Sequence, residues 1–321
     1  MCAAQNWSTE VTGRITALTL NVFSSDKRRL AERISQTIDL IHSASPDFVA
    51  FQEIDDETLR AFKTAFPESA PYFHSDLGAG VTSGQLHLMS RYPVSEVRYF
   101  ESGSPGQVET DARARVLLLH ATVQREEVLV ATTCLDWRSE LSRAKGLHFV
   151  LNTLHTTPLS EPGASAALFR SQGRANGSKN SQAAEPPRHI VLLGDFKAGT
   201  SELSWLDSGD SGFVDVWSAL QDETDPGFTW DPASNAYALS VDPQSSPSRI
   251  DRMLVSSTRL KPIAISLVGC GGGDLMCSAM SQSQRLQGVG AGAAAAVASP
   301  NSFPSPHYGL LGTISLFQPT C

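Results

Sequence analysis

The chain of 321 residues has no run of about 18 apolar residues, so it offers no apolar segment long enough for a membrane-spanning helix. Residues 1–10 lack the cationic head and apolar core of a secretory leader. It also lacks a basic excess. With 25 Lys and Arg against 33 Asp and Glu, the formal charge is −8. No global positive field therefore attracts a polyanion, and any phosphate-bearing partner must be met by a local cationic group or a metal. Its five cysteines, Cys2, Cys134, Cys270, Cys277 and Cys321, are odd in number and scattered, with no CxxC pair for zinc or redox chemistry. A reducing, intracellular compartment is the simplest expectation.

What is present is a soluble-type composition, 41% hydrophobic and 18% charged, long enough for one large domain with a full core. Residues 14–22 alternate apolar and polar, as a half-buried strand does, and end on Asn21. Leu30, Ile34, Ile38 and Ile41 then recur at helical spacing over residues 26–43, with Asp26 as the expected N-cap and Pro46 beyond the end. Residues 47–52 read as a buried strand that delivers Glu53. A helix over 57–66 follows, then strands near 84–90, 94–100, 115–124 and 127–133, and a helix over 140–153. The apolar run 188–194 ends on Asp195. Beyond it the pattern predicts a short helix over 213–220, strands near 250–255 and 263–268, and a closing strand over 310–317.

Two stretches, 158–187 and 269–302, are rich in Ser, Gly and Ala and read as disordered insertions in a single domain spanning 12–321. Strand pairs with intervening helices in both halves favour an α/β fold. The expected form is a four-layer α/β/β/α sandwich of two packed mixed sheets flanked by helices.

Polar residues stand where apolar strands stop: Asn21, Gln52-Glu53 and Gly194-Asp195, with Ser305-Pro306-His307 just before the last strand. Strand ends hold short acidic and amide side chains on a rigid frame. A hard cation needs oxygen ligands there, and a phosphoryl group needs fixed positioning. Any one of these residues alone could be a solvated carboxylate or a turn residue.

Taken in order, Thr19-Leu20-Asn21, Phe51-Gln52-Glu53, Thr133-Cys134-Leu135, Leu193-Gly194-Asp195-Phe196-Lys197, Arg249-Ile250-Asp251-Arg252 and residues 303–310 resemble the endonuclease/exonuclease/phosphatase superfamily. Val214-Asp215-Val216-Trp217, Phe228-Thr229-Trp230-Asp231 and Asn235 resemble its tyrosyl-DNA phosphodiesterase 2 subgroup, which cleaves 5′-phosphotyrosyl bonds. The resemblance implies a phosphodiesterase using Mg²⁺ or Mn²⁺, with Glu53 and Asn21 at the metal and Asp195 holding the attacking water. By the same likeness Asp251 supports the metal side and His307 contacts the scissile phosphate. Trp217 and, less so, Trp230 would lie by the substrate groove, with ordinary core tryptophans as the alternative; Arg113 and Arg115, at the start of a strand, are open to touching backbone phosphate or to being solvated surface residues. The implied partner is nucleic acid with a 5′-phosphate or phosphotyrosyl end, met by a monomer in the nucleus, with no membrane and no assigned protein partner.

Three positions depart from that pattern. Cys134 replaces a His, Lys197 replaces the Asn of Gly-Asp-x-Asn, and Pro306 replaces the Asp before His307. Pro306 has no side-chain acceptor, so His307 is expected to lack its carboxylate partner and activity to fall. Lys197 is expected either to compete with the metal for Asp195 and Glu53 or to hold a phosphate in place of the lost amide. A thiol at Cys134 is a poor substitute for an imidazole in the substrate pocket. A weakened phosphodiesterase and an inactive protein that binds nucleic acid or a protein through the same groove both remain open. A hydrolase of a small phosphomonoester or phospholipid is a third reading.

Overall fold

A computed structural model describes residues 9–67, 72–75, 85–102, 114–157, 189–208, 211–222, 224–256, 258–270 and 303–319. The predicted insertion 158–187, all but two residues of 269–302, and Arg113 lie outside the described residues.

The alternating segments form strands that pair into two sheets. The first contains β1 (Thr9–Asn21), β2 (Phe48–Gln52), β3 (Phe73–His74), β4 (His87–Ser90), β11 (Leu260–Val268) and β12 (Gly309–Pro319), in the order β11-β12-β1-β2-β4-β3. The second contains β5 (Val94–Glu101), β6 (Arg115–Val123), β7 (Glu126–Cys134), β8 (His189–Asp195), β9 (Phe213–Asp215) and β10 (Asp251–Ser256), in the order β5-β6-β7-β8-β10-β9. The two sheets repeat one plan. Each has a central parallel pair, β1 with β2 or β7 with β8, flanked by antiparallel strands. Helices α1 (Leu30–Ala44) and α3 (Glu140–Thr156) make the two crossovers that parallel pairing requires.

Period-two side-chain alternation produces the layers. Ile15 and Ala17, Phe48 and Ala50, Val128 and Val130, and Val191 and Leu193 face one buried cluster between the sheets. Their neighbours Leu18, Leu20, Val49 and Phe51 pack outward with Leu40 and Ile41 of α1 and Phe62 of α2 (Asp56–Ala65). On the other side Val116, Leu118, Ile190 and Leu192 pack with Leu147, Val150 and Leu154 of α3. The result is the expected four-layer α/β/β/α sandwich. No helix among the described residues is long and apolar enough to cross a membrane.

Some local expectations are corrected. The first helix begins at Leu30, not Asp26, because the Asp26 carboxylate accepts the backbone N–H of Arg28 (2.9 Å) and closes a turn. Residues 213–220 divide into β9 and α4 (Val216–Leu220), since Phe213 to Asp215 pair with β10. A further short helix, α5 (Ala236–Val241), is capped by Asn235. Cys270 is disulfide-bonded, against the expectation of reduced thiols.

One buried polar chain sits at the far edge of the first sheet. His74 Nε2 is 2.6 Å from the Phe66 carbonyl, so it carries the proton, and His74 Nδ1 must accept from His87 Nε2 at 2.9 Å. His87 Nδ1 then accepts from the Ser75 hydroxyl at 3.2 Å. Ser75 Oγ already accepts the Leu88 N–H (2.9 Å), so a second proton on His87 would cost the hydroxyl its donor role and place a charge in a buried site. Burial first, then the neighbouring His74 and Lys63, hold the His87 pKa well below 6.5. A histidine whose folded pKa is depressed supports the fold above its unfolded pKa and withdraws that support as pH falls below it. Stability is therefore expected to drop by up to about 1.4 kcal/mol per pH unit below about 6.5. Thermal unfolding at pH 7 and pH 5 should show a larger drop in wild type than in His87→Gln, which retains a donor and an acceptor but does not titrate. Equal drops would remove the histidine pair from the account.

Candidate active site

The inner face of each central strand is apolar until its last residues and then turns polar. Ile15, Ala17 and Thr19 lead to Asn21; Phe48 and Ala50 lead to Gln52; Val128, Val130 and Thr132 lead to Cys134; Val191 and Leu193 lead to Asp195. Because β1 runs with β2 and β7 with β8, these ends come in pairs, and cross-sheet hydrogen bonds show that both pairs share one end of the sandwich. Asn21 Nδ2 donates to Asp195 Oδ2 (2.7 Å), and Gln52 Nε2 donates to Thr132 Oγ1 (2.8 Å). Gly194 permits the approach just before Asp195, since a Cβ there would stand 2.2 Å from the Thr133 carbonyl oxygen.

Lys197 lies at the centre of this end. Its Nζ is 2.5 Å from Glu53 Oε1 and 2.9 Å from Asp195 Oδ2, and its backbone N–H donates to Asp195 Oδ1 at 3.0 Å. One ammonium thus joins carboxylates of both sheets. Burial opposes its charge, but Asp195 and Glu53 outweigh burial, and the Lys197 pKa is raised. Burial also opposes the Asp195 charge, yet Lys197 and His307 overcome it and lower its pKa, so this carboxylate is ionised at neutral pH. Glu53 and Lys197 both adopt left-handed backbone, φ 53° each, a conformation that costs a non-glycine residue about 1–3 kcal/mol. Strain at both partners marks a turn held by more than local preference.

His307 does not lack a carboxylate. Its Nδ1 is 2.9 Å from Asp251 Oδ2, and both side chains are buried. The expectation drawn from Pro306 is therefore wrong: the partner comes from the first residue of β10, not from the residue before the histidine. Burial disfavours the imidazolium, but the charges of Asp251 and Asp195 prevail and raise the His307 pKa. Burial likewise raises the pKa of Asp251, whose Oδ1 is buried without a hydrogen-bond partner.

Residues that the sequence placed in motifs without giving them a role hold this pair in place. Thr229 Oγ1 accepts the backbone N–H groups of Ile250 (3.1 Å) and Asp251 (3.0 Å), while its carbonyl accepts that of Tyr308 (2.7 Å). Asn235 Nδ2 donates to the carbonyls of Ser305 and Pro306 at 3.1 and 3.2 Å. Ser305 Oγ donates to the Asn21 carbonyl and accepts the His307 N–H. Below them, Asp215 Oδ2 accepts from Arg249 Nη1 (2.6 Å) and Arg252 Nη1 (2.8 Å), fixing both flanks of Asp251. The motifs did not disclose these roles, because most of the partners lie far apart in the chain.

Two acid-rich groups have ligand atoms within 4.8 Å of one another: Glu53, Cys134 and Asp195, and Asp195, Asp251 and His307. Asp195 belongs to both. Burial, then Asp195, push the Cys134 thiol well above its usual range, so it stays protonated and is no ligand for a hard cation. Arg115 opens β6 beside the end of β7, since Val116 pairs with Thr133, and it bridges to Glu101 at 3.1 Å. Trp230 is half-buried, with its ring 5.2 Å from that of His307 at 76°. Trp217 is placed differently from a stacking residue. It is buried in the inter-sheet core with its indole N–H on the Asp225 carbonyl (3.0 Å), and a Cβ at Gly227 would stand 2.2 Å from its ring.

The pattern of the endonuclease/exonuclease/phosphatase family matches residues 18–307, which takes in every strand end described above. The chain belongs to that family. TDP2 of D. rerio in complex with single-strand DNA product has the same fold, at 16% identity and a TM-score of 0.66 over 94% of this chain and 99% of that one. TDP2 from C. elegans matches at 16% identity and 0.62, over 94% and 75% of the two chains. A family member from Bacteroides vulgatus matches at 14% identity and 0.64, over 95% and 99%. At such identities the likeness is one of fold. No curated protein sequence matches the chain.

Proposed function

We propose that the protein is a phosphodiesterase acting at nucleic-acid ends, of the kind that hydrolyses a 5′-phosphotyrosyl or simple 5′ phosphodiester. In this reading Glu53 and Asp195 would hold a divalent cation, Mg²⁺ or Mn²⁺, once Lys197 releases them. The observation that carries the reading is the convergence of Asn21, Glu53, Asp195, Asp251 and His307 at one end of the two sheets in a chain of this family. The TDP2 structure with single-strand DNA product supports nucleic acid as the substrate class.

Whether the residues fit a metal is answered by what lies between them. The Lys197 ammonium bridging Glu53 and Asp195 supports reading these hard oxygen donors as a cation site, and the unpartnered Asp251 Oδ1 is a further acidic oxygen nearby. Glu53, with Asp195 or Asn21 beside it, would hold the ion. When bound, it would supply charge stabilisation to the phosphoryl oxygens. The remaining work falls to the chain. Asp195, ionised and oriented by the Asn21 amide and the Lys197 N–H, accepts a proton from the attacking water once the ammonium has withdrawn. His307, charged by its pairing with Asp251, donates a hydrogen bond to a phosphate oxygen. Arg115, at the rim, meets the nucleic-acid backbone.

A second reading is favoured by the same ion pair. If Lys197 never leaves, the protein binds a phosphate-bearing end or a protein partner and does not turn over. Purified protein, Mg²⁺ or Mn²⁺ and a 5′-tyrosyl oligonucleotide separate the two. Turnover that disappears in both Glu53→Ala and Asp195→Ala supports the enzyme. Oligonucleotide binding without turnover supports the binding protein.

A further inference from the structure

The turn between β7 and α3 leads away from Cys134 and carries the most exposed large hydrophobic side chain among the described residues. Trp137 is 74% exposed, and Leu141, four residues on, is 64% exposed. Single exposed apolar residues are ordinary on a protein surface. This one is distinguished by where its backbone is held. Leu135, two residues before it, donates its N–H to the Asp195 carbonyl at 2.9 Å, and two residues reach at most about 7 Å. The Trp137 carbonyl accepts from Arg143 Nη1 (3.1 Å), whose other nitrogens are fixed on Glu202 Oε1 at 2.9 and 2.6 Å. Arg138, the next residue, folds back on Asp136 at 2.6 to 3.0 Å. A pinned backbone thus carries a solvent-exposed indole from a position two residues beyond the contact with the Asp195 carbonyl.

We propose that Trp137 is a stacking platform for the unpaired base that adjoins the phosphate at the Asp195 and His307 end. It is a positioning residue for single-stranded substrates. The inference rests on the phosphodiester reading for the place of the phosphate, but not on turnover. An indole face accepts any base because every base has a π face, while flanking phosphates give register. With a net charge of −8 the chain as a whole does not attract a strand, so stacking on a base would add to whatever local cations supply.

The test uses the full chain and two probes with a 3′ fluorophore: 5′-phosphorylated tetrathymidylate, and the same tetramer with its 5′ nucleotide abasic. Wild type is expected to bind the base-bearing probe roughly tenfold more tightly, within the span that base–aromatic stacking allows. Trp137→Ala should remove that preference and leave the abasic probe unchanged, and Trp137→Phe should restore most of it. If Trp137→Ala keeps the preference, weakens both probes equally, or alters only the state of self-association, the platform is overturned. If wild type binds both probes equally, the platform fails and the nucleic-acid reading stands. If it binds neither, both fail.

Discussion

Lys197→Asn is expected to tighten Mg²⁺ binding by at least about tenfold, or about 1.4 kcal/mol, and to raise metal-dependent cleavage with it. In the wild type the ion must first move an ammonium that is engaged with Glu53 and Asp195 and largely shielded from water. Breaking such a pair costs about 3–5 kcal/mol when the charges stay buried, and less when the freed lysine reaches solvent. Asparagine removes that competition and leaves two carboxylates whose mutual repulsion only a cation relieves. The same argument gives a second readout. In chelator the variant should be less stable than wild type by about 1–3 kcal/mol, and Mg²⁺ should restore it by linkage, whereas wild type should respond little. Calorimetric titration and thermal unfolding with and without Mg²⁺ measure both. An unchanged dissociation constant together with unchanged stability in chelator would count against Lys197 as the occupant of a cation site. Adding Pro306→Asp to the variant is expected to bring nothing more, because His307 already has its carboxylate in Asp251.

What could be read from the residues, and what could not, divides at the range of the interaction. The alternation that ends on Asn21, the buried strand before Glu53 and the apolar run before Asp195 are local signals, and they stop where the core meets solvent. The layered fold followed from the same signals. The partner of His307 was sought next to it, at Pro306, but side chains 56 residues apart meet through the pairing of β10 with β8 and the Thr229 bridge, which no local spacing encodes. Trp217 was expected by the substrate groove and Trp137 drew no expectation. A tryptophan in a family-like motif lies in the core, while one in an unremarked turn stands in water, because burial depends on what folds over a residue. Lys197 was legible as a competitor for the acids, but not as a tie between two sheets. That role depends on the left-handed turns at residues 53 and 197, which aim the two side chains at each other.

Asp251→Asn is expected to lower the cleavage rate by about 10²- to 10⁴-fold at saturating Mg²⁺, in line with the cost of removing the carboxylate that orients a catalytic histidine elsewhere. The carboxylate does two things here. It accepts from Nδ1 and so fixes the ring, and its charge overcomes the burial that would otherwise strip the imidazolium of its proton. Activity that needs charged His307 is present below its raised pKa and disappears as pH rises through it. With an amide in place of the carboxylate, burial prevails, so the decline should move to lower pH. Folding reads the same pair independently of turnover. Both His307 and Asp251 hold protons more tightly in the folded chain than in the unfolded one, so the pair adds stability on the acid side and loses it as pH rises through the folded value for His307. The variant should lack that dependence. A His307 proton titration followed by NMR therefore decides the matter even in a chain that never cleaves: an unshifted titration in Asp251→Asn would show that the imidazole owes its charge to something else.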